Sequence, residues 1–315
     1  MAACWMSRTV VSFGLAGLVI VGVAANGALA QDPVRCVNVT PVDSRYSSCP
    51  TIQDPTIQIA VNNANPGDMI FVGMGVYDEQ VKIPTPLTLE GAGAAVTTIM
   101  PSTVTANSSS LFSGAPIAAI IVVDGTTDVA VTDLTVDGTV AATLLGCSPT
   151  YVGIFYRASA GVITHTHVTH IWNPVNSGCQ GYLGVFVQSG NGGPGLNSSV
   201  AILDNTVDFY GKNGITANDP GTFVTVAHNT VMGRGHTTYG DAAQNGVQIG
   251  FGAHGFVSDN TITNHYYDPP EYVACGVLFF QAGGGLGRTK TNTYAGNEQN
   301  TCTAGVGPSQ NSPFN

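Results

Sequence analysis

From residue 121 onward a glycine followed by an aliphatic residue recurs at near-constant intervals, as Gly153-Ile154, Gly184-Val185, Gly214-Ile215, Gly246-Val247, Gly276-Val277 and Gly305-Val306. The separations are 31, 30, 32, 30 and 29 residues. A second unit falls between these, as Asn205-Thr206-Val207, Asn229-Thr230-Val231, Asn260-Thr261-Ile262 and Asn292-Thr293-Tyr294, with Leu134-Thr135-Val136 and Thr166-His167-Val168 as degenerate earlier copies. Each copy alternates apolar and polar residues over four to six positions, as in Phe223-Val224-Thr225-Val226, and is bounded by Gly, Asn or Asp. Such period-two runs rich in Val, Ile and Thr are short strands. Propeller blades need about 40 to 50 residues each, so a repeat near 30 favours a β-solenoid.

In a solenoid, equivalent residues stack about 4.8 Å apart along the axis. Asn205, Asn229, Asn260 and Asn292 then form a ladder of side-chain amides, each donating to one neighbour and accepting from the next. Asn at such a bend also tolerates a left-handed backbone. The ladder is structural.

The first thirty residues read as a secretory signal, with Arg8, an apolar run from Val10 to Ala25 and the small-residue site Ala28-Leu29-Ala30. The alternative is a membrane anchor, for which the apolar run is short. Cleavage before Gln31 leaves 8 basic and 19 acidic residues, a formal charge of 8 − 19 = −11. With nothing basic clustered, nucleic acid is not an expected partner. Only 9% of the chain is charged and 40 residues are Gly, which excludes coiled coils and charged disordered tails. The glycines follow no three-residue period, so collagen is excluded too.

Cys36, Cys49, Cys147, Cys179, Cys275 and Cys302 remain after cleavage, and an even number in an exported chain suggests three disulfides among fifteen formal pairings. Cys147 and Cys179 lie six and five residues before Gly153 and Gly184, so they share a station one coil apart. Cys275 and Cys302 likewise precede their own Gly units, leaving Cys36 with Cys49. Thr56 to Ala64 places Ile57, Ala60, Val61 and Ala64 on one helical face before Pro66-Gly67, a short helix able to cap the open end. The expected organisation is a signal over 1–30, an N-terminal disulfide loop over 31–55 and an all-β, single-stranded right-handed parallel β-helix over 56–315.

The runs Thr56-Ile57-Gln58-Ile59-Ala60-Val61, Pro66-Gly67-Asp68-Met69-Ile70, Gly75-Val76-Tyr77-Asp78-Glu79 and Leu87-Thr88-Leu89-Glu90-Gly91-Ala92-Gly93 resemble the opening of right-handed parallel β-helix proteins. That pectin lyase-like group includes pectin methylesterases, pectate and alginate lyases and NosD-type carbohydrate-binding proteins. The resemblance spans residues 51 to 306 and implies fold more than activity. Several signatures of its enzymes are absent. There is no Gln-Asp-Thr-Leu or Asp-Phe-x-Phe-Gly of the methylesterases, no paired Asn-Thr-Asp and Asp-Asp of polygalacturonases, and no Arg-x-Pro-x-x-Arg of pectate lyases. Asp268-Pro269-Pro270-Glu271 lacks the His of the epimerase Asp-Pro-His-Asp run.

Chemistry is expected in the segments that follow the Asn-Thr-Val strands, which stack as one loop column: His170 and Trp172; Asp208, Tyr210 and Lys212; Arg234, His236, Tyr239 and Asp241; His265, Tyr266, Tyr267, Asp268, Glu271 and Tyr272. Rings stack on sugar C–H faces, and charges fix hydroxyls or a uronate. The opposing expectation is that these are solvated parts of the coil. Proton abstraction from a uronate needs a cation, a base and a proton donor: Lys212 or Arg234 as cation, with His236, Tyr239 or His265 as base and acid. Hydrolysis needs two carboxylates about 5 to 9 Å apart, for which Asp241 with Asp268 or Glu271 is the supply. Trp172, Tyr210, Tyr266, Tyr267, Asp268 and Glu271 are the substrate-binding candidates. Two functions stay open, a secreted polysaccharide lyase or epimerase and a non-catalytic, carbohydrate-binding or spacing protein of the cell surface or envelope. No metal ligand set stands out, calcium is an allowed mediator for a polyanion, and a monomer is expected.

Overall fold

The computed structural model describes residues 34–39, 49, 53–143, 145–190, 195, 197–283 and 291–303. The signal-peptide expectation and the Gly305-Val306 unit lie outside the described residues. The chain coils into a right-handed parallel β-helix of three sheets. The first sheet runs through Val34–Val37, Asp68–Val72, Leu87–Gly91, Val129–Thr132, Ala160–Thr164, Ser198–Leu203, Thr222–Ala227 and His254–Ser258. The second runs through Gly75–Tyr77, Thr97–Ile99, Thr135–Asp137, His167–Thr169, Thr206–Asp208, Thr230–Thr237, Thr261–Tyr267 and Thr293–Ala295. The third carries the Gly-aliphatic strands, from Val81–Ile83 and Pro116–Asp124 through Thr150–Arg157, Tyr182–Gln188, Asn213–Asn218, Asn245–Gly250 and Cys275–Phe280 to Gln299–Thr303. In that last strand Thr301 faces Val277. The last described turn of the helix is therefore shorter than the Gly305-Val306 register expects.

Period-two alternation places files of side chains inside, two from the first and third sheets, as Val224 with Val226 and Val247 with Ile249, and one from the shorter second. In the second sheet Val136, Val168, Val207, Val231 and Ile262 stack in register, all fully buried. Removing such files from water is the dominant favourable term, about 25 cal/mol per Å² of apolar surface. Both stations of Val34–Val37 and the disulfide Cys36–Cys49 belong to the first coil, because that strand pairs with Met69–Val72. The β-helix thus begins inside the stretch expected to be a separate loop. Cys147–Cys179 and Cys275–Cys302 are also bonded, with Cα separations of 5.0 and 6.0 Å.

The amide ladder is present. Asn205, Asn229 and Asn260 each donate from Nδ2 to Oδ1 of the next rung, ending at Asn292, at 2.9 Å in all three cases. The left-handed backbone, however, sits one residue earlier than expected. Asp204, His228 and Asp259 have φ of 57°, 59° and 59°. These residues make the corner, and the inward Asn is thereby free to keep extended geometry.

The cap helix spans Ile57–Asn63 and buries Ile57, Ala60 and Val61 over the open end of the core. Thr56 caps it by accepting from the Ile59 N–H. Glu79, in the Gly75-Val76-Tyr77-Asp78-Glu79 run, accepts from the N–H groups of Ile57 and Gln58 at 3.0 and 2.9 Å. That run is a brace for the cap. Glu79→Ala removes two charge-assisted bonds and should cost about 1–2 kcal/mol. Urea unfolding is the check, and a loss under about 0.5 kcal/mol would refute the brace. Beyond this helix the described residues add one four-residue helix, Thr139–Ala142, and a 3₁₀ turn, Pro174–Asn176, which the strand pattern does not foreshadow.

Candidate functional site

The second sheet continues past its usual three residues at Thr230–Thr237 and Thr261–Tyr267, and there the register slips. Met232 faces Thr263 and Gly235 faces His265, so Gly233 and Arg234 together oppose Asn264. This is a β-bulge, a device that re-aims a side chain at the cost of one ladder position. Its glycines have separate reasons. A Cβ on Gly233 would lie 2.3 Å from the Asn264 carbonyl oxygen, and Gly235 holds φ of +83°.

The bulge opens a cleft of about 560 Å³ lined by Trp172, Phe209, Met232, Gly233, Arg234, Gly235 and Asn264. The Arg234 guanidinium lies over the Trp172 ring at 4.3 Å from its centroid, a geometry favoured by the ring's negative face. Nε donates to the Tyr210 carbonyl at 3.3 Å, and Nη1 lies 4.0 Å from an Asp241 carboxylate oxygen. Arg234 Nη2 and Trp172 Nε1 are buried donors with no hydrogen-bond partner. Burial lowers the Arg234 pKa from its ordinary value, partly offset by Asp241 and Tyr210. Unsatisfied buried donors cost roughly 1–3 kcal/mol each. Both residues that carry these donors line the cleft.

Beside the cleft the column continues outward. His236 stacks on Tyr266 at 4.1 Å between centroids, and its Nδ1 meets Asp268 at 2.7 Å. Tyr239 donates to Glu271 at 3.0 Å, and that bond with the Glu271 charge raises the phenol pKa. Asp241 accepts from the Thr238 N–H at 2.9 Å. On the other side His170 stacks on Phe209 at 4.9 Å. There Asp208 accepts from Thr169 and lies 3.1 Å from His167 Nε2. Burial alone would raise the Asp208 pKa, and the His167 and Thr169 bonds with the His167 and His170 charges bring it below the ordinary value.

The structure thus gathers Trp172, Arg234, His236, Tyr239, Asp241, Tyr266, Asp268 and Glu271 on one side. Four other candidates do not join them. Lys212 is fully buried, donates from Nζ to the Ala243 carbonyl at 2.8 Å, and burial drives its pKa well below the lysine range. Tyr210 and His265 are fully buried and bonded to each other, Oη to Nε2. Tyr267 is 5% exposed. Lys212 and His265 have no path to a polymer as cation or base, nor Tyr210 and Tyr267 as stacking platforms. Phe209, Met232 and Asn264 line the cleft without having been singled out. The available signal was Gly233-Arg234-Gly235 inside the longest of the repeat intervals, 32 residues.

Among the described residues no group of three or more His, Cys, Asp or Glu side chains is placed to hold a metal ion. Nor, among them, is any helix long and apolar enough to cross a membrane.

No family model matches the sequence, and no curated protein matches it. Among solved structures the chain is similar to a pectin methylesterase in complex with a hexasaccharide, at 13% identity and a TM-score of 0.42, over 90% of this chain and 93% of that one. It is similar to an alginate lyase from Paenibacillus sp. str. FPU-7 at 15% identity and a TM-score of 0.37, over 77% and 95%. For a carrot pectin methylesterase the values are 15% and 0.41, over 89% and 85%.

Proposed function

We propose that this chain is a secreted polysaccharide-binding β-helix protein whose polymer lies along the column at Trp172, Arg234, His236 and Tyr266, with a uronate carboxylate set against Arg234. The carrying observation is the pair of buried, partnerless donors, Arg234 Nη2 and Trp172 Nε1, at the cleft. A carboxylate bridging them would satisfy both, while the exposed rings of Tyr239 and Tyr272 and the half-buried ring of Tyr266 offer apolar faces to neighbouring sugars.

Hydrogen bonds to a charged partner contribute about 1.5–3 kcal/mol. Arg234→Gln should therefore weaken retention of an acidic polysaccharide at least about tenfold, with the fold intact by circular dichroism. Affinity electrophoresis over acidic and neutral glycans reads this out. Equal retention of both proteins would sink the assignment.

A second reading adds catalysis at the same place, and His236 is the observation in its favour. His236 Nδ1 lies 2.7 Å from Asp268 Oδ1, a pairing in which the carboxylate orients the ring and leaves Nε2 as the atom able to exchange a proton with substrate. Asp241, Asp268 and Glu271 remain as carboxylates for hydrolysis. Unsaturated product absorbing near 235 nm, lost in His236→Ala, supports the lyase; its absence across uronate polymers, with and without calcium, leaves the binding protein.

A further inference from the structure

With Lys212 fully buried, Arg234 is the one Lys or Arg of the column that lines the cleft among the described residues, and carboxylates flank it on both sides along the axis. Asp208 faces Met232 in the preceding coil, and Asp137 lies beyond it, 3.4 Å from His170 Nδ1. In the following coil Asp268 and Glu271 pair with His236 and Tyr239, and Asp241 sits beside the guanidinium itself. A polymer lying along the helix axis meets a new coil about every 4.8 Å, close to the length of one sugar. A uronate on every residue would place one carboxylate at Arg234 and the next ones against Asp208 and against Asp268 and Glu271. Like charges at that range repel, and a partly buried setting screens them less than water does.

Resting on the polysaccharide reading above, we propose that the accepted polymer carries isolated acidic sugars between uncharged ones rather than a carboxylate on every residue. The uncharged neighbours are neutral sugars or uronate methyl esters, since both remove the repulsion. One carboxylate engages Arg234 Nη2 and Trp172 Nε1. The flanking sugars then meet Asp268 and Glu271 as hydrogen-bond acceptors for their hydroxyls, which is what carboxylates do well at a sugar.

The test uses the full chain and one polyuronate prepared at graded methyl-esterification, from none to complete, at pH 7.5 and low salt by titration calorimetry. Affinity should rise about tenfold from the unesterified sample to a largely esterified one, and fall again when the last free carboxylates are removed. The double variant Asp268→Asn with Glu271→Gln should bind the unesterified polymer about tenfold tighter than the parent does, which narrows the preference for the sparse polymer. Affinity that climbs steadily with carboxylate density overturns the proposal. So does full affinity for the completely esterified sample, because no acid would then be read. If no sample binds, or Arg234→Gln binds like the parent, the polysaccharide reading itself has failed. Binding that depends on Arg234 but follows charge density removes only the spacing inference.

Discussion

Asn229→Ala should cost about 3–5 kcal/mol. The Asn229 side chain is 1% exposed and joins three coils. Nδ2 donates to the carbonyls of Ile202 and Ala227 at 2.8 and 2.9 Å and to Asn260 Oδ1 at 2.9 Å. Oδ1 accepts from the Asn205 N–H and Nδ2 at 3.0 and 2.9 Å. Alanine leaves the Asn205 backbone donor and at least one carbonyl buried without partners, each at about 1–3 kcal/mol. Asn229→Thr should recover part of the loss, because Thr166 holds the equivalent station two coils earlier and donates to the Thr164 carbonyl at 3.0 Å. Urea unfolding followed by circular dichroism measures both, and a loss under about 1 kcal/mol for alanine would show that the ladder stabilises little.

Acid should weaken the fold through His265. Burial pushes its pKa down to about 4, against an ordinary value of 6.5, although the bond from Asn297 acts the other way. Nδ1 lies 2.8 Å from Asn297 Oδ1, so Nδ1 carries the proton and Nε2 accepts from the Tyr210 hydroxyl. An imidazolium would lose that acceptor inside the core. The unfolded chain binds the proton more readily, so the contribution of this group is full above about pH 6.5 and declines as pH falls toward 4. At 1.36 kcal/mol per pH unit the full loss is about 3 kcal/mol. His265→Gln, which cannot titrate, should flatten the difference in stability between pH 7 and pH 4.5. An unchanged pH dependence in that variant would place the acid sensitivity elsewhere.

The second sheet explains which parts of the site can be read from sequence. Repeats, cysteine pairs and the cap helix are local patterns whose geometry follows from strand and helix periods, and the described residues show them up to the last strand, where the register is shorter than the Gly305-Val306 unit expects. Side-chain direction is different, because it depends on parity. His170, Phe209 and Asn264 hold φ of 55°, 46° and 64°, and each turns the next residue, Ile171, Tyr210 or His265, into the core. One left-handed residue resets the alternation, and no propensity marks Phe209 as such a residue. Sequence position alone therefore puts Tyr210 and His265 in the loop column, whereas the structure buries both and leaves Phe209 exposed at the cleft. Arg234 was legible as a charge, but its seat against Trp172 depends on the bulge, which a linear pattern shows only as a lengthened interval.

Every rung of the ladder points the same way, with the amide nitrogen of one coil bonded to the oxygen of the next across chain separations of 24, 31 and 32 residues. The rungs are indifferent to how much chain lies between them. Evolution can therefore lengthen or shorten a coil on its outer side, where the cleft lies, without breaking the column that holds the coils in step. A whole coil can also be gained or lost between two asparagines, with the neighbouring rungs closing on each other unchanged. Binding specificity and overall length thus vary in separate parts of the chain.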